Sequence, residues 1–198
     1  MEVVGPSGVG KTTLVSALSG KARFATAYEG HAGRPFQRLF KQDRHYGLAN
    51  QMDYLLLRAE QERQLRASPL TGLMDGGLDL DYHGFARLFH ARGWLSDAEF
   101  DLCRRFYELT RSLLPPPELV IWLTASDPVI HARLASRRRI NIASAEDTAL
   151  FNRLLQKWLG ALPATALLHV DVSADDPAYS QTLPRILAWL SQDGRPLS

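Results

Sequence analysis

Gly5-Pro6-Ser7-Gly8-Val9-Gly10-Lys11-Thr12-Thr13 fits G-x-x-x-x-G-K-[ST] at every fixed position. It directly follows the apolar pair Val3-Val4 and directly precedes the helical pattern Leu14-Val15-Ser16-Ala17-Leu18-Ser19. A strand here delivers the chain to the sheet edge, and the glycines let backbone N–H groups turn inward around a polyphosphate. The new helix adds its positive end. Lys11 is then placed to reach the β- and γ-phosphates, and the Thr12 hydroxyl to ligate Mg²⁺. The whole stretch from Gly5 to Thr13 is expected to bind ATP or GTP.

The rest of the chain alternates short apolar runs with helical patterns. Arg23–Glu29 reads as a second strand ending in a carboxylate, and Phe36–Phe40 as a helical turn. From Arg44 to Ala67 the pattern is helical, with Leu48, Met52, Leu55 and Leu56 as its apolar stripe. Gly47, Gln51, Tyr54 and Arg58 form a second stripe, which spacing alone assigns to a solvated face. Gly72–Asp75 is a short strand ending in an acid, where a carboxylate for Mg²⁺ sits in P-loop proteins. Residues 79–92 read as helical, and Ser96-Asp97-Ala98-Glu99 is a capping box opening a helix with Leu102, Phe106, Leu109 and Leu113 as its core stripe. Leu119–Thr124 reads as a strand covered on both faces. After Asp127-Pro128 comes a helix carrying Arg133, Arg137, Arg138 and Arg139. A helix restarts at Ser144–Asp147, with Leu150, Leu154, Leu155 and Trp158 inward; Ala166–Asp171 is a last strand and Pro177–Leu190 a closing helix. The expected fold is α/β with a parallel sheet, in one domain spanning residues 1–198.

At 198 residues and 45% hydrophobic, the chain can bury one good core. A net charge of +2 gives no argument for nucleic acid or an anionic membrane as partner. No apolar run approaches the ~20 residues of a membrane span. Cys103 is the single cysteine, which excludes an internal disulfide and fits a cytoplasmic protein. The motif begins at once, leaving no room for a signal peptide. Either the first strand is unusually short or the natural start lies upstream.

Beyond the P-loop, Arg34-Pro35-Phe36-Gln37-Arg38-Leu39-Phe40 and Tyr46-Gly47-Leu48-Ala49-Asn50-Gln51-Met52-Asp53-Tyr54-Leu55-Leu56-Leu57-Arg58 resemble a segment of the deoxynucleoside kinase family. The resemblance extends from Val3 to about Trp158. It implies a P-loop nucleoside triphosphate hydrolase fold with a five-stranded parallel sheet and an arginine-rich lid at about 133–147. By it, Gln51 pairs with the nucleobase edge, Arg58 and Asp81 read the base in a purine-favouring way, and Phe85 stacks on it. Tyr54 shares that stripe as a substrate-facing residue. Glu29 is the general base for the sugar 5′-hydroxyl, Lys11 serves the phosphates, and Arg133, Arg137 and Arg139 clamp the transferring group. Thr12 and Asp75 hold Mg²⁺. The implied activity is transfer of the ATP γ-phosphate to the 5′-hydroxyl of a (deoxy)nucleoside, with a nucleoside as the small-molecule partner. A homodimer is implied too.

The sequence departs from the family at definite places. After the acid of the third strand the family has arginine then serine; here stand Gly76 and Gly77. The family tyrosine that touches the sugar 3′-hydroxyl should fall near Phe40-Lys41, and the lid glutamate near Asn141-Ile142; neither is present. Two alternatives therefore stay open beside the nucleoside kinase. One is a kinase for a nucleotide or other hydroxyl compound, with Arg34, Arg38 or Arg44 taking an acceptor phosphate. The other is a nucleotide-binding regulatory protein without turnover.

Overall fold

The computed structural model describes residues 1–30, 34–135, 145–176 and 178–192. Five parallel strands form one sheet: β1 (Glu2–Val4), β2 (Ala25–Ala27), β3 (Gly72–Asp75), β4 (Val120–Thr124) and β5 (Leu167–Asp171). Their order is β2-β3-β1-β4-β5, so β1 lies at the centre and the connection from β3 to β4 crosses over it. The register pairs Val3 with Asp75, which sets the carboxyl end of β3 beside the loop leaving β1. Ligands in open α/β sheets bind at this end, where the strand order reverses.

Helix α1 (Lys11–Ser19) covers one face with Leu14, Val15 and Leu18, joined by Leu183, Ile186 and Leu190 of α9 (Thr182–Gln192). These meet Val3, Leu73, Ile121 and Leu123 of the strands, all fully buried. On the other face, Val4 and Val120 meet Phe151, Leu155 and Leu159 of α8 (Ala145–Leu159). Each such side chain contributes about 1.5–3 kcal/mol by leaving water, so both faces hold the short strands in place. Helix α9 begins at Thr182, later than the expected Pro177, because the preceding turn is built on side chains of Asp175 and Asp176.

Further helices are α2 (Pro35–Gln42), α3 (Gly47–Arg66), α4 (Leu78–Leu80), α5 (Arg87–Ala91) and α6 (Asp97–Leu113). Between α4 and α5 the backbone forms a π-helical segment, Asp81–Ala86. Such widened turns recur at functional sites. The Ser96 capping box is present, with Ser96 Oγ accepting from Glu99 N and Glu99 Oε2 accepting from Ser96 N. Helix α7 (Asp127–Ala135) starts at Asp127 itself. Among the described residues, no helix is long and apolar enough to cross a membrane.

Two stripes differ from expectation. On α3 the polar stripe is buried as well: Gly47, Gln51, Tyr54 and Arg58 are all inside alongside Leu55, while Leu56 of the apolar stripe is exposed. On α6 the expected core leucines Leu102, Leu109 and Leu113 face solvent, and Cys103 and Thr110 are buried. Periodicity identifies a face but not which face the neighbouring elements cover.

Candidate active site

The P-loop arrives at α1 through Gly10, which has φ 109° and accepts the first helical bond from Leu14 N. Lys11 Nζ donates to Gly5 O (3.0 Å) and Pro6 O (3.2 Å), so its ammonium folds back over the loop. Gly8 and Val9 are buried, and the Val9 side chain belongs to the core, leaving its backbone to the loop. Ser7 and Thr13 are exposed. Thr12 Oγ1 donates to Asp75 Oδ2 at 2.5 Å, while Asp75 Oδ1 is buried without a hydrogen-bond partner. A hydroxyl and a buried carboxylate with spare acceptor capacity fit a hard cation that takes one or two protein oxygens and otherwise phosphate and water.

The second half of the site is a narrow cleft lined by Glu29, Asn50, Gln51, Tyr54, Asp81 and the rings of Phe85 and Phe89. Glu29 follows β2, the α3 residues reach in from one side, and the π segment supplies Asp81 and Phe85 from the other. Arg58 Nε donates to Asp81 Oδ2 (2.8 Å) and Nη1 to Gln61 Oε1 (3.1 Å). Both members of the pair are almost fully buried, with side-chain exposures of 1% and 5%. Burial works against the Arg58 charge, but Asp81 and then Glu29 outweigh it and raise its pKa. Burial pushes the Asp81 carboxyl up, with Arg58 opposing. The Tyr54 hydroxyl is held protonated, first by burial and then by the Glu29 charge.

Gln51 Oε1, Tyr54 Oη and both polar atoms of the Asn50 amide are buried without a hydrogen-bond partner. Buried polar atoms are nearly always paired, so four orphans on one cleft wall suit a polar, edge-reading ligand. Asn50 and Phe89 are the lining residues the sequence reading missed, although Asn50 stands four residues before Tyr54 and eight before Arg58, on one helical stripe.

The positions that depart from the family have local causes. Gly76 has φ +76°, and a Cβ there would fall 2.9 Å from Arg58 Nη2. A Cβ at Gly77 would lie 1.9 Å from Glu2 Oε1. The buried Arg58 guanidinium and the Glu2 carboxylate thus fill the room that larger residues would use. Phe40, near which the family resemblance implies a sugar-reading tyrosine, is fully buried and stacks on Phe89 with centroids 4.6 Å apart.

Arg133 donates to Val9 O (2.6 Å) and Val172 O (3.4 Å), tying α7 to the P-loop backbone and to the turn after β5. Arg137 and Arg139, and most of the expected lid, lie outside the described residues. Among the described residues there is no group of three or more His, Cys, Asp or Glu side chains arranged for a metal.

A phosphate-binding loop at the centre of a parallel sheet, with a separate polar cleft beside a carboxylate, defines a P-loop phosphotransferase. The deoxynucleoside kinase family model matches residues 1–183, and the chain belongs to that family: it is a nucleoside kinase. It is 28% identical over 183 residues to the deoxyguanosine kinase of Bacillus subtilis (strain 168), covering 88% of this chain and 86% of that protein. Its fold is similar to a structure of deoxyadenosine kinase from M. mycoides with the products dCMP and a flexible dCDP bound, at a TM-score of 0.80, 19% identity and 96% and 98% coverage of the two chains. A structure of that enzyme with bound dATP gives a TM-score of 0.79 at 18% identity, covering 96% and 97%.

Proposed function

We propose that this kinase transfers the γ-phosphoryl group of ATP to the 5′-hydroxyl of a purine (deoxy)nucleoside, such as deoxyadenosine or deoxyguanosine, with Mg²⁺. The observation that carries the reading is the buried Arg58–Asp81 pair, whose Asp81 lines the same cleft as Glu29 and the orphaned Gln51 Oε1. Gln51 and the Arg58–Asp81 pair present donors and acceptors to a base edge, and Phe85 offers a ring to its face. Glu29 takes the 5′-hydroxyl proton as that oxygen attacks the γ-phosphorus and ADP departs. Lys11 and the P-loop amides neutralise the phosphates, and Arg133, Arg137 and Arg139 complete the clamp. Thr12 and Asp75 would hold Mg²⁺, which when bound neutralises charge between the β- and γ-phosphates. The purine assignment agrees with the relatives named for deoxyguanosine and deoxyadenosine.

A nucleotide acceptor fits less well. Arg34 is held on Asp53 at 2.8 Å, and the Arg44 guanidinium lies 4.4 and 4.5 Å from the Phe40 and Trp94 ring centroids. Two of the three cations that could meet an acceptor phosphate are therefore engaged. We further propose a homodimer through α6, whose leucines 102, 109 and 113 are 42%, 62% and 74% exposed.

ATP-to-ADP turnover against the deoxynucleosides, ribonucleosides and their monophosphates tests the reading, with Lys11→Ala and Glu29→Gln alongside. Acceptor-dependent ADP formation should be greatest with a purine nucleoside, and Glu29→Gln should lose about 10²–10⁴ in kcat. ATP binding with no acceptor raising turnover would sink it in favour of a binding protein.

A further inference from the structure

Tyr179 is the one residue other than glycine with positive φ (55°) among the described residues, a conformation that costs any side chain bearing a Cβ. Its ring is nevertheless 2% exposed and belongs to the core beneath the sheet. The strain is held by the turn after β5. Asp176 Oδ1 accepts from Ala178 N (2.8 Å) and Ser180 N (3.2 Å), and Oδ2 from Ser180 Oγ (2.6 Å). Leu183 N then donates to Tyr179 O at 2.9 Å, joining the turn to α9.

What this arrangement presents is one hydroxyl to one carbonyl. Tyr179 Oη donates to Gly10 O at 2.9 Å, a buried bond between residues 169 apart in sequence. Gly10 O also starts the α1 ladder by accepting from Leu14 N, so both of its lone pairs are used. A Cβ on Gly10 would fall 2.0 Å from Tyr179 Oη, so the hydroxyl packs where any other residue's side chain would begin. Beside it, Arg133 Nη1 donates to the adjacent Val9 O. The peptide planes that point the Gly10 and Lys11 N–H groups at a donor phosphate are thereby fixed from behind.

We propose that Tyr179 is a positioning residue for the phosphoryl donor. Its hydroxyl locks Gly10 in the left-handed conformation that aims the P-loop amides, and it makes the turn after β5 part of the phosphate site. The proposal rests on the P-loop's reading as the donor site. It does not depend on which acceptor is used. A buried neutral hydrogen bond to a pre-organised loop corresponds to roughly 3–10-fold in donor affinity.

The test is Tyr179→Phe, which removes the hydroxyl and keeps the ring. Binding of ATP and of inorganic tripolyphosphate is measured by calorimetry on wild type and variant, with steady-state kinetics and thermal melting alongside. Both ligands should bind about 3–10-fold more weakly, the KM for ATP should rise, and the KM for the acceptor should stay unchanged. Tyr179→Asn, which tolerates the left-handed backbone but has no phenol, should bind tripolyphosphate no better than Tyr179→Phe. Unchanged tripolyphosphate affinity with a lowered melting temperature would overturn the proposal, leaving Tyr179 a packing residue. Loss for ATP alone would overturn it in favour of a contact to the nucleoside part. Absence of turnover with every acceptor, with the tripolyphosphate effect intact, would strike the kinase reading and leave this one standing.

Discussion

Arg58 occupies the space that a side chain at Gly76 would need. Its Nη2 would stand 2.9 Å from a Cβ at that position, where the backbone already has φ +76°. Gly76→Ala should therefore destabilise the fold by about 1–2 kcal/mol from the backbone alone, with a further cost from displacing the guanidinium. Denaturant unfolding of Gly76→Ala, Arg58→Met and the double variant separates the two. A coupling of about 0.5–3 kcal/mol between the sites is expected, since they are in contact. Strict additivity would mean that the guanidinium moves aside freely.

The Arg58–Asp81 pair makes a second prediction. Removing one member leaves the other charged and buried, which costs about 3–5 kcal/mol. Asp81→Asn and Arg58→Met should each unfold at clearly lower denaturant, while Arg58→Met with Asp81→Leu should recover much of the loss. Recovered stability should not bring back preference for purine over pyrimidine nucleosides. A stable double variant that still prefers purines would remove the pair from base reading.

Asp75 offers a third. Its Oδ2 accepts from Thr12 while Oδ1 is buried without a hydrogen-bond partner, so Asp75→Asn keeps the shape and removes the charge that would hold a cation. Half-maximal activity should then need about 10–100-fold more Mg²⁺, and a chelator should abolish turnover in both proteins. An unchanged Mg²⁺ requirement would take Asp75 out of the cation site.

The P-loop and the order of strands and helices were legible because local rules decide them: glycine spacing, a capping box, short apolar runs. Where the polar stripe of α3 would lie was not, since a row of Gln, Tyr and Arg at helical spacing looks the same whether it meets water or a cleft. What buries it is Asp81, 23 residues further along the chain and presented by a π turn that no spacing announces. The leucines of α6 misled for the mirrored reason. Tyr179 left no signal, because Ala178-Tyr179-Ser180 says nothing of a carbonyl 169 residues away.

Those leucines lead to a fourth prediction. Leu102, Leu109 and Leu113 recur at seven and four residues along one side of α6 and are exposed. Light scattering should give twice the chain mass for wild type, and Leu109→Lys with Leu113→Lys should give a monomer without a loss of helical signal. A monomeric wild type at micromolar concentration would end the dimer proposal.

The fifth concerns pH. Glu2 lies buried at the start of β1 with neither carboxylate oxygen hydrogen-bonded. Burial, and after it the nearby Asp79 charge, push its pKa well above the usual carboxylate range; Arg111 and the Met1 ammonium oppose, and Glu62 adds to the rise. The folded state therefore favours the protonated acid. Stability from this group is fully present below the unfolded value of about 4.3 and is lost as pH rises through the raised folded value. Asp79, whose pKa burial also raises, acts in the same sense in every variant compared. Glu2→Gln stays neutral at all pH, so its melting temperature should match wild type near pH 4.5 and exceed it increasingly toward pH 8. A domain of this size gains about 2–4 °C for each kcal/mol so relieved. A difference that does not widen with pH would mean that Glu2 finds a compensating charge when it ionises.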